Sequence, residues 1–432
     1  MKGFLNFLAL ATGSIALLST IWIIVPALHS YIWLLSVAAS EWSLWLAALA
    51  LFGIVCASTV RYFDGGKKLS TISLTIGIAA FLIALYPPLS VLPLAREKKV
   101  PLSLKRYFGA VSTGASESDD LKTYVFARFD AGDLQLDVYA PTIENANNGA
   151  SIIVVHGGSW NGGRRSDFPQ WNQWLAANGY TVFDVDYRLT QPNYLTAVGD
   201  VKCAVRWVKN HAGEFKIAPE RIALLGRSAG AHLALLAAFS ADDAKIPASC
   251  DENQSGEKTS EKVRAVVSFY APTDLLWDFD NPANEAVING KTTLSNFLGG
   301  SPHESSEMRE KYVLASPVSH VSADTPPTLL IHGGRDQLVW SENTMFLDGK
   351  LTSANVPHQT LLIPYAQHGF DYNFNGFGAQ IVQPEVLKFL GENTGNKYLD
   401  DFTDQIIIMR FGDFHVVNRA DTRVEILRHI VD

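Results

Sequence analysis

The chain has 432 residues and a formal net charge of −8, with hydrophobic residues at 47% and charged residues at 18%. An acidic balance with no basic stripe and no interleaved aromatics argues against nucleic acid as a partner. The length allows one large domain with an appendage, or two domains.

The apolar excess is confined to the first quarter. No Asp, Glu, Lys or Arg stands between Gly3 and Ser40, and Trp42–Val60 and Leu69–Ala95 are likewise uncharged. Each run is long enough to cross about 30 Å of hydrocarbon at about 1.5 Å per residue. Residues 1–95 therefore read as three transmembrane helices, at about 4–28, 42–60 and 69–93. A signal peptide would carry a shorter apolar region. Tyr31, Trp33, Trp42 and Trp45 read as an interfacial aromatic belt or ordinary lipid-facing bulk, and Glu41 is expected at the interface beside them. The connection after the second span carries Arg61, Lys67 and Lys68. That bias puts the amino terminus in the cytoplasm and everything after Ala95 on the extracytoplasmic side, despite the basic residues Arg96–Arg106 that follow the third span.

Residues 96–122 read as a linker, basic first and then rich in Ser, Gly and Asp. Thr123–Phe129 and Leu134–Tyr139 alternate around Ala131-Gly132-Asp133 as a β-hairpin. Beyond them strands and helices alternate. The strands are expected at Ser151–Val155, Thr181–Asp186, Arg221–Leu225, Val263–Tyr270, Thr328–Ile331 and Gln359–Ile363. The helices are expected at 168–178, 195–212, 229–240, 341–353 and 383–392. This spacing predicts a mostly parallel sheet covered on both faces. Residues 275–315 break the alternation and are expected over the strand ends as a cap. The catalytic unit is bounded at 123–395. The extension 396–432 reads equally as an added strand pair, a partner-binding segment or unstructured chain.

Three cysteines are present. Cys56 sits in the second apolar run. Cys203 and Cys250 have no C-x-x-C neighbour and no His at metal spacing, so no metal is expected. Free thiols are the default for this pair, and a disulfide between them would require an oxidising compartment.

Four motifs carry chemistry. Gly226-Arg227-Ser228-Ala229-Gly230 follows a buried strand and opens a helix, which is the setting of a nucleophile elbow. Neighbouring chains crowd the two glycine positions and leave no room for a Cβ. By itself the pattern could be a glycine-rich turn with a bystander serine. A serine nucleophile needs a base, and the base needs an orienting acid. His368, in Gln367-His368-Gly369-Phe370, follows the last strand at its carboxyl end and is the candidate base. His358 falls at the opposite edge, and His232 reads as a packing or surface residue. His332 ends a strand four residues before a better acid candidate. That acid is Asp336, after the sharp exit Gly333-Gly334. Its bland reading is an Asx turn or helix cap, and Asp274 is the alternative acid. The fourth motif is His156-Gly157-Gly158-Ser159-Trp160. There the Gly158 and Ser159 amides, joined by Ala229, are candidates for an oxyanion hole, with His156, Gly157 and Trp160 supporting the loop.

Together HGGSW, DYRL (Asp186–Leu189), GRSAG, HGGRDQ and QHGF resemble the α/β-hydrolase superfamily, and within it the BD-FAE-like and hormone-sensitive-lipase-like carboxylesterases. The resemblance covers about residues 123–395. It implies an α/β-hydrolase fold, a mostly parallel eight-stranded sheet with helices on both faces. It also implies ester hydrolysis through an acyl-serine on Ser228 with Asp336 and His368, and no cofactor. Arg227 and Ala231 depart from the lipase-like pattern, as does Ser159-Trp160, and these departures favour the BD-FAE-like side. The expected partners are a small-molecule or lipid ester and the membrane. Acyl-sugar deacetylation, arylformamide hydrolysis, peptide hydrolysis or non-catalytic binding are the competing readings of the same architecture.

Overall fold

The computed structural model describes residues 2–64, 67–109, 121–130, 132–141, 149–250, 259–395, 405–410 and 413–418. The Ser/Gly/Asp-rich part of the expected linker and most of the tail lie outside these residues. Two tail segments, β9 (Gln405–Arg410) and β10 (Asp413–Asn418), pair antiparallel, which matches the strand-pair reading.

The central sheet runs β1 (Lys122–Phe129), β2 (Gly132–Tyr139), β4 (Thr181–Val185), β3 (Ser151–Val155), β5 (Ile222–Arg227), β6 (Ala265–Phe269), β7 (Thr328–Gly333) and β8 (His358–Ile363) in spatial order. β1 and β2 form the expected hairpin and β2 pairs antiparallel with β4; every other pairing is parallel. β3 to β7 are fully buried along their length, as a sheet covered on both faces requires.

On one face lie α8 (Tyr194–Asn210), the short α9 (Ala212–Phe215), α10 (Ala229–Phe239) and α14 (Glu342–Ser353). On the other lie α7 (Pro169–Ala177) and α15 (Phe377–Thr394). α15 starts six residues before the expected 383. Pro384 lies in the interior of the helix. The expected cap is helical, with α11 (Leu275–Asp280), α12 (Gly290–Leu298) and α13 (Ser306–Leu314). Cys203 on α8 and Cys250 are joined as a disulfide across 47 residues, not left as free thiols.

The amino-terminal quarter forms α1 (Lys2–Thr20), α2 (Ser30–Glu41), α3 (Ser43–Asp64), α4 (Lys67–Ala84) and α5 (Tyr86–Glu97). Three stretches are long and apolar enough to cross a membrane: Gly3–Ile23, Ser43–Phe63 and Lys68–Glu97. α1, α3 and α4 meet through small side chains. Ala9, Ala16, Ala50, Ala57 and Ala80 are buried. A Cβ on Gly53 would lie 2.7 Å from Thr12 Oγ1. Phe4, Phe7, Leu18 and Phe52 instead point outward, each at least half exposed. Small residues inside and bulky apolar ones outside is the packing of helices in lipid, where close backbone approach supplies the attraction.

α2 was not anticipated as a separate element. The sequence marks 29–41 as a connection with an aromatic belt, whereas Ser30–Glu41 forms a helix lying on the globular part. The preceding loop is clamped there: Ala27 donates its N–H to Gln337 Oε1 at 2.7 Å, and Arg335 donates to the Ile24 carbonyl at 2.7 Å. At the other end Asn373 donates to the Glu41 carbonyl at 3.1 Å. The start of the expected linker is also seated. α6 (Leu104–Phe108) stacks Tyr107 on Phe377 with ring centroids 4.5 Å apart.

Glu41 is buried against protein and not at a solvated interface, with Tyr365 Oη 3.4 Å from its Oε2. Burial pushes its carboxyl well above the usual carboxylate range, against the Tyr365 hydrogen bond that lowers it, and the Asp371 charge adds to the rise. A carboxyl whose value rises on folding contributes fully below the unfolded value of 4.5 and loses that contribution as the pH climbs through the folded value. Glu41→Gln is therefore expected to raise the melting temperature at about pH 8 more than at about pH 5, read by thermal denaturation of the full chain at both. An equal change at both values would count against a protonated Glu41.

Candidate active site

The site lies at the carboxyl ends of the parallel strands. β5 ends at Arg227, and Ser228 follows with φ 54° and ψ −122° before α10 begins. This backbone is strained for a residue with a Cβ, and the two flanking glycines make it possible. A Cβ on Gly230 would lie 2.2 Å from the His156 carbonyl oxygen, and one on Gly226 2.3 Å from the Gly230 carbonyl oxygen. Neither clash could be relieved without moving backbone.

His368, Asp336 and Ser228 come together from three loops. Ser228 Oγ is 2.8 Å from His368 Nε2, and His368 Nδ1 is 2.6 Å from Asp336 Oδ2. Asp336 is fully enclosed, and its Oδ1 accepts the Leu338 and Val339 N–H groups at 2.8 and 3.0 Å. The Asx-turn reading of this residue thus holds alongside the other: one carboxylate oxygen closes the turn and the other faces His368. Burial would raise the Asp336 carboxyl, but the adjacent His368 charge and the hydrogen bonds from His332 and His368 outweigh it. The carboxyl is held well below its ordinary value. Asp274, the alternative acid, accepts from the Trp277 N–H at 3.1 Å and caps α11.

The other histidines take structural places. His332 Nε2 lies 3.2 Å from Asp336 Oδ2 and 3.0 Å from the Val339 carbonyl, while Nδ1 faces Thr344 Oγ1 at 2.7 Å. It therefore donates to Asp336 and braces the acid loop. His232 is buried: its Nδ1 accepts the Trp160 indole N–H at 3.2 Å and its Nε2 donates to the Ala315 carbonyl at 2.7 Å. Burial pushes it down to about 4, so it stays neutral. His358 begins β8 at the far edge of the sheet.

Gly158, Ser159 and Trp160 have φ values of 115°, 52° and 60°. This left-handed run turns the loop over Ser228, and a Cβ on Gly158 would lie 2.2 Å from the Gly162 carbonyl oxygen. His156 stacks on Tyr187 at 4.3 Å and its Nδ1 lies 2.7 Å from the Gly157 carbonyl. Trp160 is buried against Phe297 of the cap at 4.2 Å. Among the described residues the N–H groups of Gly158, Ser159 and Ala229 have no protein acceptor, so they remain available to a ligand.

A buried network behind the site escaped the sequence reading. Arg227 donates from Nε to Asp371 Oδ2 at 2.6 Å, and Tyr270 Oη donates to Asp371 Oδ1 at 2.5 Å. The Arg227 guanidinium lies 4.0 Å over the Phe168 ring, and the Tyr270 ring is 4.4 Å from His368. Arg227 and Asp371 are 144 residues apart, so only the charge of Arg227 inside an otherwise apolar strand end could have signalled a buried partner.

Two cavities meet at Ser228. A smaller one of about 60 Å³ is lined by Ser159, Ala229, Pro282, Ile288 and Leu294. A larger groove of about 470 Å³ runs past His368 and Gly158 to Trp33, Leu34 and Val37 of α2. Two aromatics of the expected belt, Trp33 and Trp42, therefore line the groove beside the candidate site.

The BD-FAE family profile matches residues 136–351, half of the 432-residue chain. The chain belongs to the BD-FAE family. That match contains Ser228 and Asp336 and ends before His368. Among curated proteins, this BD-FAE chain is 30% identical over 241 residues to the probable carboxylic ester hydrolase LipM of Mycobacterium tuberculosis, covering 55% of this chain and 53% of LipM. It is 29% identical over 278 residues to the esterase LipQ of the same organism, covering 61% and 60%. The chain thus spans between half and two thirds of these relatives' lengths. Among solved structures, a thermophilic esterase from the Planctomycetes species Thermogutta terrifontis superposes with a TM-score of 0.52 at 25% identity, covering 65% of this chain and 94% of that one. The fold is that of the α/β-hydrolases, with three apolar helices of membrane-spanning length before it.

Proposed function

We propose that this BD-FAE chain is a membrane-anchored serine carboxylic-ester hydrolase that works through an acyl-enzyme on Ser228. One observation carries the reading: the unbroken hydrogen-bond chain Ser228–His368–Asp336, with two cavities that both reach the serine. His368 Nε2 takes the Ser228 proton as Oγ attacks the ester carbonyl. Negative charge then grows on the carbonyl oxygen beside the Gly158, Ser159 and Ala229 amides, which need no reorganisation to bind it. As the intermediate collapses, the C–O bond to the alcohol breaks and His368 returns the proton to the leaving oxygen. Water repeats the sequence on the acyl-serine and releases the acid. Asp336, held ionised, fixes the His368 tautomer and faces the imidazolium while it exists. Homology to named esterases supports the same reaction class.

Residues 1–95 serve as the anchor in this reading, 123–395 as the catalytic unit with its cap at 275–315, and 396–432 as an extension. The small-inside, bulky-outside packing of the first three long helices supports integration in a bilayer. Arg61 and Lys68 after the second span, together with the Cys203–Cys250 disulfide, support an extracytoplasmic catalytic unit.

The test is labelling of the full chain with a fluorophosphonate. Labelling is expected on Ser228, found by peptide mass mapping, and is expected to vanish in His368→Ala. Labelling elsewhere, or undiminished labelling in the histidine variant, would refute the assignment.

A further inference from the structure

We propose that the substrate is a short-chain acyl ester of a bulky apolar alcohol, and that α2 of the amino-terminal segment is the wall along which the alcohol lies. The proposal rests on the esterase reading above and deepens it by assigning the two cavities.

The assignment follows from where the proton must go. The acyl carbon bonds to Ser228 Oγ, and the leaving oxygen has to receive its proton from His368 Nε2. The alcohol therefore occupies the side on which His368 is exposed, and the acyl chain the other. Only the larger groove is lined by His368; the smaller cavity is lined by Ala229, Pro282, Ile288 and Leu294, while Ser159 borders both. The acyl chain thus enters the smaller cavity. At about 60 Å³, against roughly 10–15 Å³ per water-sized group on the same measure, it holds about four to six such groups. Acetyl to about hexanoyl fits.

The groove has about 470 Å³, several times that room. Its α2 bank carries Trp33, Leu34, Val37 and Ala38, with Trp42 just beyond the helix. Leu34 and Trp42 are 55% and 42% exposed, so the apolar surface continues out of the groove past its mouth. An alkyl or polycyclic alcohol buries surface along this bank; a polar alcohol such as a sugar would leave hydroxyls facing it without partners. The bank is fixed at both ends. Gln337, which holds Ala27, also reaches Gln367 at 3.2 Å, so the residues flanking Asp336 and His368 carry the start of the α2 segment. Asn373 holds its end at Glu41.

Two ester series given to the full-length protein in phosphatidylcholine nanodiscs test this. One varies the acyl group on p-nitrophenol from acetate through butyrate and octanoate to dodecanoate. The other keeps acetate and varies the alcohol from ethyl to octyl, followed by pH-stat. kcat/KM is expected to fall by about tenfold or more from butyrate to dodecanoate and to rise by about tenfold from ethyl to octyl acetate. Val37→Trp, which fills the groove, is expected to cost octyl acetate about tenfold and ethyl acetate no more than about twofold. Ile288→Ala, which enlarges the smaller cavity, is expected to move the acyl optimum to longer chains and leave the alcohol series unchanged. Preference for dodecanoate over butyrate, a flat alcohol series, or equal losses in both series for Val37→Trp would overturn the assignment. Opposite length preferences with turnover intact sink this proposal alone. An absence of turnover on every ester would sink the esterase reading and this one with it.

Discussion

Ser228→Ala is expected to lower kcat for p-nitrophenyl butyrate by about 10⁴- to 10⁶-fold while the melting temperature stays close to that of the parent. The size follows from the unit in which Ser228 works. His368 has no proton to take and no covalent intermediate forms, so the remaining members contribute only through the oxyanion amides and substrate binding. The fold should survive because the strain at φ 54° belongs to the elbow backbone and alanine occupies it with the same Cβ. Steady-state turnover of the purified variant checks the first part and differential scanning calorimetry the second. Turnover unchanged within about tenfold would mean that the ester is cleaved elsewhere.

The largest stability effect is expected at Arg227. Its side chain is 2% exposed and that of Asp371 is not exposed at all, and the two are joined at 2.6 Å. Arg227→Met removes the cation and leaves a buried carboxylate faced by the Tyr270 hydroxyl. Breaking one side of such a pair costs about 3–5 kcal/mol. For a unit of this size that corresponds to a fall of roughly 6–20 °C in the transition of the catalytic part. The double variant Arg227→Met/Asp371→Asn should recover most of the loss, because the uncompensated charge is then gone. A single variant as stable as the parent, or a double variant no better than the single, would show that the pair is not where the energy resides.

Much of this was legible from residues in order. The elbow could be read because its strand, glycines and small-residue helix are local, and β3 falls at the expected Ser151–Val155. Asp336 and His368 were reachable because each follows a strand by a few residues, which fixes the end of the sheet at which it emerges. Contacts across long separations left no such trace. Arg227 looked only like a departure from a familiar turn, since nothing near it announces Asp371. α15 begins at Phe377 and not at 383 because the preceding turns are packed into the core and held in helix. The run 30–40 is uncharged and carries Tyr31 and Trp33, so composition marks it as a connection with an interfacial belt and not as a packed helix. Its separation into α2 depends on Asn284, Arg335, Gln337 and Asn373, all supplied from more than 240 positions away. For the same reason Glu41 was given to the bilayer surface when its neighbours are Tyr365 and Asn373.

The clamp on the Ile24–Ala27 loop bears on how this molecule should be handled. A soluble fragment cut near residue 100 would lose the helix that forms one bank of its own channel. It would also strip the Ile24 carbonyl acceptor from Arg335 and one of two donors, the Ala27 N–H, from Gln337 Oε1, on either side of Asp336. Selectivities measured on such a fragment would describe a site without its α2 bank.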